Sequence, residues 1–221
     1  MKKLEAVIFD MDGLLVDSEP LWSEAEIEVA KKVGIDLTND LILETRGFRA
    51  DEVIDYWYKK YPWENPSRPE LFKEFVDLII SLIESRAVLL PGAQEAIAVC
   101  RGVGCKVSLA SSSHMSIIEA VIEKFNLGDA FDSIHSAETE EKGKPDPAVY
   151  LTACRALNAD PKNCLAVEDS VNGMRAAKAA GMYCIAVPAE EEREDKRFEL
   201  ADLKLKSLEE INENMLLAFV R

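Results

Sequence analysis

Five stretches of the chain are mostly apolar and too short for helices: 4–9, 106–110, 131–135, 164–167 and 183–187. Runs of this kind suit parallel strands buried on both faces. Between the later runs the apolar period changes. Ile117, Ile118, Val121, Ile122 and Phe125 repeat at helical spacing, as do Val149, Tyr150, Ala153 and Leu157, so each segment offers one apolar face to a sheet. Strands alternating with amphipathic helices predict an α/β fold with a doubly wound parallel sheet, whose ligands sit at the carboxyl ends of its strands.

The alternation is interrupted once. No strand-like run occurs from about residue 17 to 86. Trp22, Ala25, Val29 and Val33 share one helical face, and Leu71, Phe75, Leu78, Ile79, Leu82 and Ile83 follow the i, i+4, i+7, i+8 pattern. Gly34 reads as a helix stop. The segment from Tyr56 to Trp63, with Pro66-Ser67-Arg68-Pro69, breaks the stretch into helical hairpins. The expected organisation is a core of residues 1–16 and 87–221 with a helical insertion of residues 17–86.

Charge narrows the partners. The 41 acidic residues outnumber 26 basic ones, for a formal net charge of −15, which argues against nucleic acid and anionic membrane surfaces, both held through basic patches. No apolar run approaches the roughly 20 residues of a membrane span. Glu5, Asp10 and Asp12 interrupt any leader-like stretch after Met1-Lys2-Lys3. The five cysteines are odd in number and never spaced C-x-x-C. They support neither a zinc ribbon nor a disulfide framework and fit a reducing cytoplasm. The charged run 190–197 reads as a surface loop. A small molecule met by a cytoplasmic monomer is the expectation.

With only two histidines, His114 and His135, carboxylates must carry any chemistry. The first strand runs into Asp10-Met11-Asp12-Gly13, two acids followed by a residue that releases the chain into a turn. Alone, such a pair is as much a turn former as a site. Three more segments end in complementary groups: Ser111-Ser112-Ser113 after 106–110, Lys144 before a helix, and Glu168-Asp169 after 164–167. Each has an ordinary explanation as a helix cap or surface charge. Together they offer what phosphate-monoester hydrolysis needs: a nucleophile, a proton donor for the leaving alkoxide, and positive charge around the transferring oxygens. Asp10 and Asp169 could supply carboxylates to magnesium, which keeps several waters and takes one or two such ligands. Lys144 would neutralise nucleophile and phosphate, and Ser111 with nearby backbone N–H groups would hold the non-bridging oxygens.

Asp10-Met11-Asp12-Gly13 with Asp17-Ser18-Glu19, Leu109-Ala110-Ser111-Ser112, Lys144-Pro145-Asp146-Pro147, and Val167-Glu168-Asp169-Ser170 with Asn172-Gly173-Met174 resemble the four-motif signature of haloacid dehalogenase-like hydrolases, in order and spacing. The resemblance implies a Rossmann-like core with a helical cap after the first strand. It implies Asp10 as a nucleophile forming an aspartyl-phosphate and Asp12 as the acid and then base. Mg²⁺ would be held by Asp10, the backbone carbonyl of Asp12, and Asp169, with Glu168 a further candidate, while Ser111, Ser112 and Lys144 contact the phosphate. Asp17 to Trp22, Pro62-Trp63 with Pro66-Ser67-Arg68, and Ala201 to Leu205 further resemble bacterial sugar phosphatases of the 2-deoxyglucose-6-phosphatase and hexitol phosphatase type. This implies a hexose 6-phosphate or hexitol phosphate substrate. Thr45-Arg46-Gly47-Phe48-Arg49 is the candidate specificity segment, with Arg49 either touching a substrate hydroxyl or serving as a surface charge.

A sugar-phosphate mutase of the β-phosphoglucomutase type shares the signature. Such mutases resemble one another in a histidine early in the first cap helix, where this chain has Trp22, so transfer to water is preferred. A haloacid dehalogenase proper would need neither Asp12 nor a metal. A non-catalytic relative should lack one of Asp10, Asp12, Lys144 or Asp169, and all are present.

Overall fold

The computed structural model describes residues 3–219; Met1, Lys2, Val220 and Arg221, at the ends of the expected core, lie outside the described residues. Among the described residues, six parallel strands form one sheet: β1 (Ala6–Phe9), β2 (Lys106–Ser111), β3 (Ser133–Ser136), β4 (Cys164–Glu168), β5 (Tyr183–Ala186) and β6 (Leu203–Lys204). Their order across the sheet is β3-β2-β1-β4-β5-β6. The connections therefore run outward in opposite directions from β1, opening a crevice between β1 and β4 at their carboxyl ends. Five strands match the apolar runs to within two residues at either end. β6, only two residues long, is too short to show a period.

Side chains alternate across this sheet, and the two faces differ in size. Val7, Phe9, Leu109, Leu165, Val167 and Ile185 fill one side. Ala6, Ala110, Cys164, Ala166, Cys184 and Ala186 lie on the other, where α7 (Ala148–Ala156) and α8 (Val171–Ala179) pack. Small residues there leave room for close helix approach, and Tyr150 and Met174 fill that space with no exposure. α5 (Ala93–Gly102) and α6 (Met115–Lys124) cover the large-residue face, and α9 (Glu213–Ala218) lies against α5. All five cysteines are buried thiols. Among the described residues no helix is long and apolar enough to cross a membrane.

Four helices follow β1 before β2 begins: α1 (Glu19–Lys32), α2 (Asn39–Ile42), α3 (Ala50–Lys60) and α4 (Arg68–Arg86). Gly34 takes φ +77° just beyond α1, a left-handed conformation that suits glycine at a helix end. Ser67 opens α4 with a capping box, its backbone N–H donating to Glu70 at 2.9 Å. The entry and exit of this helical stretch are paired antiparallel: Asp17 N–H donates to Val88 O at 3.0 Å and Leu90 N–H to Leu15 O at 2.9 Å. On α1 the buried side is Leu21, Ala25, Glu26, Val29 and Ala30. It is rotated from the expected stripe: Trp22 is only partly buried, its ring against Phe75 and its indole N–H toward Asp12.

Candidate active site

Register brings the candidate residues to one height. Phe9 pairs with Leu109 on one side and Val167 on the other, so the chain leaves β1, β2 and β4 at one level, presenting Asp10, Ser111 and Glu168-Asp169 side by side. Asp10 N–H continues the ladder by donating to Val167 O at 3.0 Å. Lys144 enters from the loop before α7. Its Nζ donates to Asp10 Oδ1 at 2.6 Å, Glu168 Oε1 at 2.7 Å and Ala110 O at 3.0 Å, which uses all three ammonium protons. Glu168 is completely buried. It also accepts from the Tyr150 hydroxyl at 2.6 Å and the Ser170 hydroxyl at 3.2 Å. With both oxygens engaged, its contact with the cavity runs through Lys144.

Burial raises the Asp10 carboxyl to about 8, opposed by the Lys144 ammonium and reinforced by Glu168 and Asp12. Asp169 is raised well above the ordinary range by burial and then by Asp10 and Glu168. Burial acts against the Lys144 charge, but Asp10 and Glu168 outweigh it and hold the ammonium firmly protonated. Asp10, Glu168 and Asp169 bring carboxylate oxygens within 4.8 Å of one another. Of the three, Asp10 and Asp169 line the cavity, and two such carboxylates are donors that a hard divalent cation takes. The backbone makes room for it. A Cβ on Gly13, which has φ +73°, would stand 2.3 Å from Asp169 Oδ2, and one on Gly173 would stand 1.8 Å from Glu168 Oε1. The residues present therefore fit magnesium.

Asp12 is positioned by donors from two segments, the start of α1 and the end of β2. Ser18 Oγ at 2.7 Å and Trp22 Nε1 at 3.0 Å reach Oδ1. Ser113 Oγ at 2.6 Å and, more distantly, Ser111 Oγ at 3.4 Å reach Oδ2. Ser111 Oγ also accepts from Ser113 N–H at 2.9 Å, and Ser112 faces the cavity. The first N–H of α6 donates to Glu138 Oε2 at 2.8 Å. Ser113, Ser18 and Trp22 stand in or beside the motifs of the sequence, but the linear reading made none of them a donor to Asp12. Three adjacent serines give no clue which one turns toward Asp12.

Asp10, Asp12, Ser111, Ser112, Lys144 and Asp169 all line one cavity of about 360 Å³. Its far wall comes from the inserted helices, with Ser23, Glu26, Thr45, Arg46 and Phe48. Arg46 bridges Glu19 at 3.1 Å and Glu192 at 3.3 Å, tying that wall to the core, and Glu191 also lines the cavity. The run 190–197 is thus not wholly a solvated surface. Arg49 does not line this cavity and pairs with the exposed Asp51 at 2.8 Å. Its Nη1 donates to the carbonyls of Ala137 at 3.0 Å and Glu140 at 2.9 Å, fastening α3 to the loop after β3.

Residues 4–181 match the model of a family described as haloacid dehalogenase-like hydrolase. The chain is 48% identical to hexitol phosphatase B of Escherichia coli over 217 residues, 98% of each chain. It is 29% identical to beta-phosphoglucomutase of Bacillus subtilis over 192 residues, 83% of each. The crystal structure of CbbY from Rhodobacter sphaeroides in complex with phosphate superposes with a TM-score of 0.88 at 27% identity, covering 97% of this chain and 99% of that one.

Proposed function

The chain belongs to the haloacid dehalogenase-like hydrolases and is a phosphatase; from that premise we propose that it hydrolyses hexitol or hexose phosphates through a phospho-aspartate at Asp10, with magnesium. The observation that carries the reading is the packing of Asp10, Lys144, Glu168 and Asp169 at adjoining strand ends, with Lys144 Nζ 2.6 Å from Asp10.

Asp10 and Asp169 side chains and the Asp12 carbonyl would hold the cation, which when bound supplies positive charge to keep Asp10 ionised and to balance the transferring oxygens. An Asp10 carboxylate oxygen attacks phosphorus as the bond from phosphorus to the leaving alkoxide breaks, and the Asp12 carboxyl gives that oxygen its proton. Asp12, now a carboxylate, takes a proton from water. The water oxygen attacks the same phosphorus, and the bond to Asp10 breaks, releasing inorganic phosphate. Ser18, Trp22 and Ser113 hold Asp12 in one orientation through both halves. Lys144 neutralises charge on Asp10 and phosphate, with Glu168 and Tyr150 fixing it in place, and Ser111 and Ser112 contact the phosphate.

Residues 17–86 act as a cap that moves about the paired segments at 15–17 and 88–90 and excludes water when closed. Identity to hexitol phosphatase B supports a polyol or sugar ester as substrate. Five buried thiols agree with a cytoplasmic setting. The test is phosphate release from a panel of hexitol, hexose, pentose and nucleotide monophosphates, with magnesium and with chelator. Hexitol or hexose phosphates should be preferred and chelation should stop turnover. Conversion of β-glucose 1-phosphate without phosphate release would instead identify a mutase.

A further inference from the structure

Glu19, Trp22, Ser23 and Glu26 stand at i, i+3, i+4 and i+7 on α1, and that stripe lines the cavity. Glu19 is matched by Arg46 and Trp22 by Asp12. Glu26 lies four residues past Trp22, roughly 6 Å farther along the helix axis from the Asp12 end. Its burial is unusual for an acid: it is 5% exposed, among Val29, Val53 and Trp57. Its Oε1 accepts from Thr45 Oγ1 at 2.7 Å and from the Trp57 indole N–H. Among the described residues Oε2 accepts no hydrogen bond and no cation pairs with Glu26. Burial pushes this acid upward against the pull of its two donors. Oε2 is therefore the free oxygen of a carboxyl that lines the cavity, open to a donor from a ligand there.

We infer that Glu26 is a specificity-determining residue whose Oε2 binds hydroxyl groups of a sugar or polyol phosphate held with its phosphorus at Asp10. The inference rests on the proposed sugar-phosphatase reading. Thr45 and Trp57 pre-orient the carboxyl from two other segments, as a site built to recognise a hydroxyl requires. Because the Trp57 indole N–H can only donate, glutamine at this position keeps its amide oxygen there and turns its NH₂ to the cavity.

The experiment compares kcat and KM for a hexitol phosphate and for p-nitrophenyl phosphate, which has no hydroxyls, in wild type and Glu26→Gln. KM for the hexitol ester should rise about tenfold, while kcat/KM for the aryl ester stays within about twofold. Equal losses on both esters, or unchanged discrimination, would overturn the role. Should Glu26→Gln not fold, Thr45→Val removes one anchor of the carboxyl and should blunt the same discrimination; discrimination kept intact in that variant counts against Glu26. A wild type without preference for the hexitol ester would sink the substrate reading and this inference together. Preference that survives the substitution sinks this inference alone.

Discussion

The floor and the far wall of the cavity are built on opposite plans. On the floor, Asp10, Lys144, Glu168 and Asp169 are nearly sealed from solvent, and short hydrogen bonds lock Lys144 to Asp10 and Glu168. They hang from paired strands whose register sets their height. The wall mixes Ile42, Phe48 and Val53 with Ser23, Glu26 and Arg46. It rides on helices joined to the sheet through two antiparallel segments. Bond making needs atoms held to fractions of an ångström, and paired strands provide that; choosing a substrate needs a surface that can move aside and close again.

Removing the proposed nucleophile tests the floor most severely. Asp10→Asn is nearly isosteric, so turnover should fall by about 10⁴-fold or more while the thermal midpoint shifts by only a few degrees. Phosphate release and a thermal melt check both; activity above about a thousandth of wild type would take the nucleophile's role from Asp10.

A smaller loss is expected from Gly13→Ala, which crowds Asp169, a proposed ligand of the cation. The added Cβ would meet Asp169 Oδ2 at 2.3 Å on a backbone with φ +73°. Apparent magnesium affinity should drop about 10- to 100-fold, with kcat at saturating magnesium less affected. A magnesium titration of aryl phosphate hydrolysis reads this directly, and an unaltered midpoint would separate Asp169 from the metal.

The smallest effect lies where wall meets floor. Trp22→Phe keeps the ring that packs edge-on against Phe75 with centroids 5.7 Å apart but removes the N–H donor to Asp12. Loss of one of several hydrogen bonds should lower kcat about 3- to 10-fold and shift the pH profile. If neither moves, Trp22 belongs to the wall only.

Much of the floor is legible along the chain because each piece is local: an apolar run, then an acid, hydroxyl or ammonium at its end. Asp10, Ser111 and Asp169 can each be found this way, and their convergence follows once the runs are parallel strands. The wall is not legible in the same way. Glu26 resembles any acid on a charged helix, since Glu24 and Glu28 flank it. Arg49 has the spacing of a cavity residue yet clasps two carbonyls of the core. Only the turn after β2 decides that Ser113, with Ser111 at longer range, reaches Asp12.

By itself, the order of apolar and acidic residues determined a parallel α/β sheet, a helical insertion after its first strand, and the family to which the chain belongs. Tertiary structure alone decided which oxygen each donor serves, that Lys144 sits between two acids, and that Trp22 crosses from the inserted helices to Asp12. The reason is physical: strand and helix periods are set by near neighbours, whereas these hydrogen bonds join residues up to 134 positions apart, through directions that exist only after the elements have packed.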